Sequence, residues 1–452
     1  MPAKRLAVLL TCGAAVAAAL PTHATAQVRP PADPPPCPAS VIAGAPVLPN
    51  AVGCWNAIAV STVRAVLPYP IQGLIYTSYP QLAVYDAVTK IHPRYAPYHR
   101  FDVPAGVNVA GASDEAAVAT AAYETLKANF PASASDLRAK WNAYIASLRA
   151  GGVPGVDDGA MIGKAAADDL LAFRAGDKDE TITFTPGPLA PGVWTFAPPP
   201  SLQSAQTPWV AVMRPFVIKR ASQFRPEAPP ALSSHAWARE FNETKAYGSV
   251  TSTVRSPEQT AVALFFNANA VNQINQGFQD VSASHGLDLV DAAHLIAMGE
   301  STTADAGIAC WDAKYTYRFW RPIMAIRNAD IDGNPATTAD PTWTPLLTTP
   351  NHPEYPAAHG CGTAAEAEAI AGALGTHRID LTLRGSADGT PANFAATQTF
   401  ARVKDLQRQI VDARVWAGLH YRQSGVHGVV IGRKVAHYVS EHAFQARPGH
   451  RH

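Results

Sequence analysis

Charged residues are scarce in this chain: Asp, Glu, Lys and Arg make up 16% of its 452 residues, and the formal net charge is +1. So balanced a chain has no long-range field to attract nucleic acid or an anionic membrane surface, and neither partner is expected. Cysteines are few, 5 in all, and none stands in the CxxC spacing of a zinc site. No stretch approaches the ~18 uninterrupted apolar residues of a membrane-spanning helix, apart from a shorter N-terminal run, so no span is expected in the mature chain. There is no repeat at solenoid spacing and no alternating strand pattern of any length. Against these absences stand a hydrophobic content of 47% and 39 prolines. That composition describes a compact globular protein able to bury a large core, as one domain or two closely joined ones.

Lys4 and Arg5 precede an apolar run over 6–20, and Ala24-Thr25-Ala26 supplies a small-x-small cleavage pattern. Residues 1–26 therefore read as a secretory signal peptide, which predicts a secreted or periplasmic protein. Cys12 lies inside that run, preceded by Thr11, a poor fit to a lipoprotein signal. Residues 27–53 (RPPADPPPCP among them) form a proline-rich arm. The four cysteines left in the mature chain, Cys37, Cys54, Cys310 and Cys361, allow three pairings. Cys37–Cys54 and Cys310–Cys361 are the pairs expected, with buried free thiols as the alternative.

Apolar residues recur at helical spacing over 55–91, 112–149 (broken near Pro131) and 157–175. The pattern returns over 235–279, over 287–308 and on into a segment around Lys314. Two last helices are expected at 361–375 and 395–443, the second interrupted. Between them, 181–232 is a long proline-rich loop, and loops of that length are usually functional or wrap the surface. Residues 328–356 are also loop-like. Within them Asp330-Ile331-Asp332-Gly333-Asn334 begins like a calcium loop, but its twelfth position is Pro341, so it reads as a turn. The fold expected is all-α. A helical region over 54–235 includes the 181–232 loop, and a C-terminal bundle over 236–445 carries the site.

Three segments of the last third carry the chemistry. Lys314 and Arg321 lie seven residues apart in KYTYRFWRP. On one helix they would sit within about 20° of each other, with Pro322 ending the helix just past the arginine. An ammonium and a guanidinium so placed suit an oxyanion, or are two solvated charges. Trp311, Phe319 and Trp320 argue against a fully exposed face. His359 follows Pro356-Ala357-Ala358, where a helix start leaves free backbone N–H groups for an anion and the imidazole for proton transfer. His352 in NHPEY lines the same loop or is a plain loop histidine. Arg414 and His420 are six residues apart, about 120° on a continuous helix, so a bend is needed for both to face one ligand. Gly418 between them suggests close approach of a ligand or a second backbone. A lone His420 would more often be a satisfied core histidine.

Together, K-x6-RP, P-x-x-H-G and R-x3-G-x-H resemble the three-part signature of the vanadium-dependent haloperoxidases and the type 2 phosphatidic acid phosphatases. WNAIA, YDAV, EQTAVALFF and DAKYTYRFWRPIMAIR extend the resemblance to secreted bacterial haloperoxidase-like proteins over most of 55–440. The resemblance implies a fold of four-helix bundles with the anion site at the end of one. It implies vanadate as cofactor, with hydrogen peroxide, halide and small organic molecules as substrates; a homo-oligomer is compatible with it. His420 would be the metal ligand. Lys314, Arg321 and Arg414, with Ala357 and Ala358, would hold the oxyanion. His359 would be the catalytic acid–base group, beside Lys314 and His352. His352 matches the position where bromide- and iodide-oxidising members carry a second histidine, and Trp311 lies near the halide approach. Two positions depart from the family pattern: Ala357-Ala358 replaces Ser-Gly, and Ser424 replaces an Asp four residues after the motif-three histidine. The lost hydroxyl is expected to weaken oxyanion binding by ~1–3 kcal/mol, and the lost Asp to remove a partner that raises ligand basicity. The alternatives carried forward are an acid phosphatase for soluble phosphomonoesters, working through phospho-His420, and a catalytically lapsed oxyanion-binding protein.

Overall fold

A computed structural model of the protein describes residue 37 and residues 45–198, 204–385 and 397–449. The expected signal peptide and most of the proline-rich arm lie outside the described residues. Those described belong to one compact unit. Helices α1 (Ala51–Val66) and α2 (Pro70–Ile91) replace the single early pattern, split by Leu67 and Pro68. Then come α3 (Asp114–Asn129), α4 (Ala134–Ala150) and α5 (Val156–Phe173), with α3 begun by a Ser113 side-chain cap. After the long loop, α6 (His235–Gly248), α7 (Pro257–Phe265) and α8 (Ala270–Ser284) lead to α9 (Leu289–Tyr317), the longest helix. A Ser256–Gln259 capping box starts α7, and the Asp288 carboxylate caps α9.

Helix α9 is the axis of the molecule. Every residue from 292 to 311 is buried, as expected of a helix with no face left for solvent. It packs on α2 and on α11 (Ala358–Leu374) and α13 (Arg422–His442), following the short α10 (Pro322–Arg327) and with α12 (Val403–Trp416) between the last two. Helix α13 can approach α11 because residue 428 is glycine: a Cβ there would stand 2.5 Å from Ala357 O. That contact seats the start of α11 against α13, where two of the three motifs must meet.

The all-α expectation holds for every major element. A small antiparallel hairpin, β1 (Arg378–Arg384) with β2 (Thr397–Arg402), corrects it locally. Residues 397–402, expected to begin the last helical pattern, are strand. The signal was present in RIDLTLR, whose Ile379, Leu381 and Leu383 point alternately into the core. The proline-rich loop is pinned to α9 by Asp305, which accepts from the backbone N–H groups of Phe216, Val217 and Ile218 at 2.6, 2.7 and 2.8 Å. The Asp332 turn is structural: its carboxylate accepts from Trp237 Nε1 and Thr337 Oγ1.

Cys37 and Cys54 are disulfide-bonded, as expected. Cys310 and Cys361 are not: both are buried free thiols, with Cys310 Sγ 3.7 Å from Pro356 O. They lie in the apolar seam between α9 and α11, where a thiol packs as a small hydrophobe, and the alternative reading applies.

Candidate active site

Lys314 and Arg321 do not share a helix stripe. Helix α9 ends at Tyr317, where Arg318 takes a left-handed conformation (φ 48°), and Arg321 is the N-cap of α10 with Pro322 at its first position. Proline thus starts the next helix; it does not end the one carrying Lys314. Both side chains nevertheless reach one place. Lys314 Nζ donates to Pro353 O and Glu354 O, each at 2.9 Å. Arg321 donates from Nε to His352 O at 2.9 Å, and from Nη1 to Leu419 O at 3.0 Å and His420 Nε2 at 3.1 Å. Its Nη2 lies 3.0 Å from His352 Nδ1. Lys314 therefore holds the loop before α11, and Arg321 ties that loop to the turn that carries His420.

That turn supplies the bend required between Arg414 and His420. Helix α12 ends at Trp416, Gly418 is left-handed (φ 74°), and Tyr421 is the N-cap of α13. The close approach at Gly418 is to a second backbone: a Cβ there would meet Gly248 O at 2.4 Å. Arg414 donates from Nη1 to Phe266 O at 3.1 Å, while its buried Nε has no partner among the described residues.

Lys314, Arg321, Arg414 and His420 are buried, and so is His352, whose ring packs 4.9 Å from that of Trp311. His359, the second residue of α11, is half-buried and close enough to Arg414, Lys314 and Arg321 to feel their charge. Helix α11 has no side-chain cap at Ala357, so its first N–H groups have no acceptor within the helix. The structure thus brings together Lys314, Arg321, Arg414, His352, His359, His420, Trp311 and the Ala357-Ala358 helix start.

One residue of the site escaped the sequence: Glu354. Fully buried, it receives His420 Nδ1 at 2.8 Å and Tyr421 N at 3.1 Å on Oε1. With Nδ1–H donating to this carboxylate, Nε2 is the acceptor nitrogen of His420, and it takes the hydrogen bond from Arg321 Nη1, which a ligand at Nε2 would have to displace. The carboxylate that orients the histidine comes from the loop before α11, not from the helix position occupied by Ser424. Ser424 contributes its carbonyl to Ala357 N at 3.0 Å. The available signal was a lone acidic residue between proline and tyrosine in PEYP.

Burial dominates the electrostatics. It lowers Lys314 to about 8, Arg321 to about 10 and Arg414 to about 9; repulsion from Arg321 adds to the fall of Lys314 and Arg414, whereas Glu354 opposes the fall of Arg321. It raises Glu354 to about 7, against the pull of Lys314 and Arg321. His352, His359 and His420 are held well below the usual range by burial first and then by the neighbouring cations, so all three imidazoles are neutral near pH 7. Three buried cations thus face one carboxylate, already engaged by His420. An orphaned guanidinium Nε, helix N–H groups with no acceptor in their own helix and surplus positive charge fit a tetrahedral oxyanion such as vanadate or phosphate.

Residues 294–449 match the family model of the VCPO second helical-bundle domain. In an alignment 264 residues long that covers 46% of this chain and 42% of the relative's length, the sequence is 27% identical to vanadium chloroperoxidase of Curvularia inaequalis. A solved structure titled the first bacterial vanadium-dependent iodoperoxidase superposes with a TM-score of 0.72 at 22% identity, over 87% of this chain and 97% of that one. A holo-type bacterial vanadium-dependent chloroperoxidase superposes at 0.65 and 18% identity, over 83% and 92%. At these identities the solved structures establish a shared fold.

Proposed function

We propose that the chain is a vanadate-dependent haloperoxidase of the vanadium haloperoxidase superfamily, a reading supported by the match of residues 294–449 to the VCPO second helical-bundle model and by the likeness to vanadium chloroperoxidase. It would oxidise bromide or iodide with hydrogen peroxide to hypohalous acid, which then reaches small organic molecules. The observation that carries the proposal is that Lys314, Arg321 and Arg414 are all buried close enough to His420 to act on its charge, Arg321 bonding it directly, with Glu354 as the counter-charge.

The residues present fit vanadate. Lys314, Arg321, Arg414 and the N–H groups at the start of α11 would hold its oxygens, and His420 Nε2 would be the protein ligand. When bound, vanadate supplies Lewis-acid activation of peroxide without changing its oxidation state. The protein's own work is positional. Glu354 holds His420 in one tautomer, the cations would neutralise oxyanion charge, and His359 would move protons through a neutral imidazole. The Ala357 N–H is already bonded to Ser424 O, so the backbone donors come from Ala358 onward, and neither alanine brings a hydroxyl. His352 against Trp311 forms the wall on the halide side, and the family position of His352 supports bromide or iodide over chloride. Export also belongs to the proposal: the N-terminal leader pattern and the Cys37–Cys54 bond suit an oxidising compartment.

The test is peroxide-dependent bromination and iodide oxidation by the purified mature chain, with and without orthovanadate, against His420→Ala. Turnover that needs both vanadate and His420 is expected. Orthovanadate binding with phosphomonoester turnover and no halide oxidation would overturn the proposal in favour of a phosphatase. Binding without either turnover would point to an oxyanion-binding protein.

A further inference from the structure

The long proline-rich loop meets α9 beside Trp311 at Gln206 and Thr207, and there its backbone is strained. Thr207 stands in the left-handed region (φ 45°, ψ 52°). Its branched Cβ opposes that conformation, and so does Pro208 after it, whose ring crowds the preceding residue. The Thr207 hydroxyl is buried without a hydrogen-bond partner among the described residues, so it adds no bond that offsets the strain. A strained residue persists only where its surroundings over-determine it, and such residues cluster at functional sites. On one side of Thr207, Trp209 and Val210 are buried in the core, and their short 3-10 helix, Pro208–Val212, packs on α9. On the other side, the main chain of Gln206 bridges two parts of the candidate site. Its carbonyl accepts from Tyr315 Oη at 2.9 Å and, more weakly, from Trp311 Nε1 at 3.4 Å. Its N–H donates to Asn351 O at 2.8 Å, one residue before His352.

We propose that Gln206 is a positioning residue for the Trp311–His352 wall, held in place by the strained turn at Thr207. Trp311 and Tyr315 lie one helical turn apart on α9, so one carbonyl can hold both. Because the N–H and the carbonyl belong to one residue, its own backbone fixes the spacing between α9 and the loop at Asn351. Lys314 and Arg321 hold the next residues of that loop through the carbonyls of His352, Pro353 and Glu354. Gln206 adds the link between the same loop and the indole, whose ring centroid is 4.9 Å from that of His352. Gln206 acts through its main chain, so its own side chain is not the one to change. The consequence for halide rests on the haloperoxidase reading above; the bridge itself does not.

Tyr315→Phe removes the shorter bond to Gln206 O and keeps the ring. In the full mature chain, hydrogen exchange at the Gln206 amide is expected to quicken by roughly three- to tenfold, the loss of one neutral hydrogen bond. Iodide KM is expected to rise by a similar factor with kcat nearly unchanged. Orthovanadate affinity, measured by calorimetry, is expected to stay the same, because Lys314 and Arg321 still hold residues 352–354. In the variant's crystal structure the Trp311 and His352 rings are expected to lie further apart. Unchanged exchange at Gln206 overturns the bridge, and faster exchange with unchanged ring spacing and iodide KM overturns the positioning role. A joint loss of kcat, iodide affinity and orthovanadate affinity, the mark of general damage, overturns it too. A wild-type crystal structure with Thr207 at negative φ would overturn the strained turn. If the wild-type chain oxidises no halide, the haloperoxidase reading falls, while Gln206 exchange and the ring spacing still decide this inference.

Discussion

Replacing Glu354 by glutamine keeps an oxygen for His420 Nδ1–H and Tyr421 N–H but removes the charge. A hydrogen bond to a charged group contributes ~1.5–3 kcal/mol and a neutral one ~0.5–1.5, so the loss is about 1–1.5 kcal/mol. That corresponds to roughly tenfold weaker orthovanadate binding, within the 10–100-fold usual for partners of metal-bound histidines. Glu354→Ala leaves both donors without an acceptor in a buried site and is expected to lose more than about a hundredfold. The sign of the pH dependence follows from the carboxyl's rise to about 7. Above that pH the wild type carries the charge and Glu354→Gln does not. Below it the wild type is protonated and the two converge. Calorimetric titration with orthovanadate at about pH 8 and again at about pH 6 therefore reads a gap that closes on acidification. Equal affinities at the higher pH, or a gap unchanged between the two, would refute the claim that this carboxylate orients His420.

Three further outcomes follow from features that do not touch the oxyanion. Burial raises Glu300 to about 8, so the folded state holds a proton that the unfolded chain releases near 4.5. Its contribution to stability is present below the unfolded value and is lost as pH rises towards 8; Glu300→Gln should remove that loss and be the more stable by up to ~4 kcal/mol near pH 8, read from urea unfolding at two pH values. Gly418→Ala would place a Cβ against Gly248 O in a left-handed backbone. The expected loss is at least ~2 kcal/mol, and a midpoint shift too small to match in denaturant unfolding would argue against the close approach. Cys37→Ser/Cys54→Ser opens a link across 17 residues, which should cost ~3 kcal/mol on the chain-entropy account and leave orthovanadate affinity unchanged.

Helical periodicity made most of the fold legible in the sequence, because it is written in contiguous residues. The 112–149 pattern with its break at Pro131 became α3 and α4, and the long apolar stretch after 287 became α9. The site's cations and imidazoles were equally legible, since each sits in a short motif whose residue types suit one chemistry. Where reasoning by helix angle was applied to side-chain direction, it failed. Lys314 and Arg321 meet because Arg318 ends the helix and an extended step carries Arg321 back, a choice made by Trp237, Trp320 and Tyr421 packing around that step. The hairpin was missed because its alternating strands are only 7 and 6 residues long and each is stable only against the other and the core.

The sequence by itself determined which residues carry charge, where helices run and that three basic, histidine-bearing segments belong together. Tertiary structure alone decided that Cys310 and Cys361 stay reduced, that Gly418 meets Gly248, and that Glu354 serves His420 across 66 residues. The physical reason is the range of the interactions. Propensity and periodicity act over a few residues along the chain, whereas a buried carboxylate finds its partner only when distant elements close around both and exclude water.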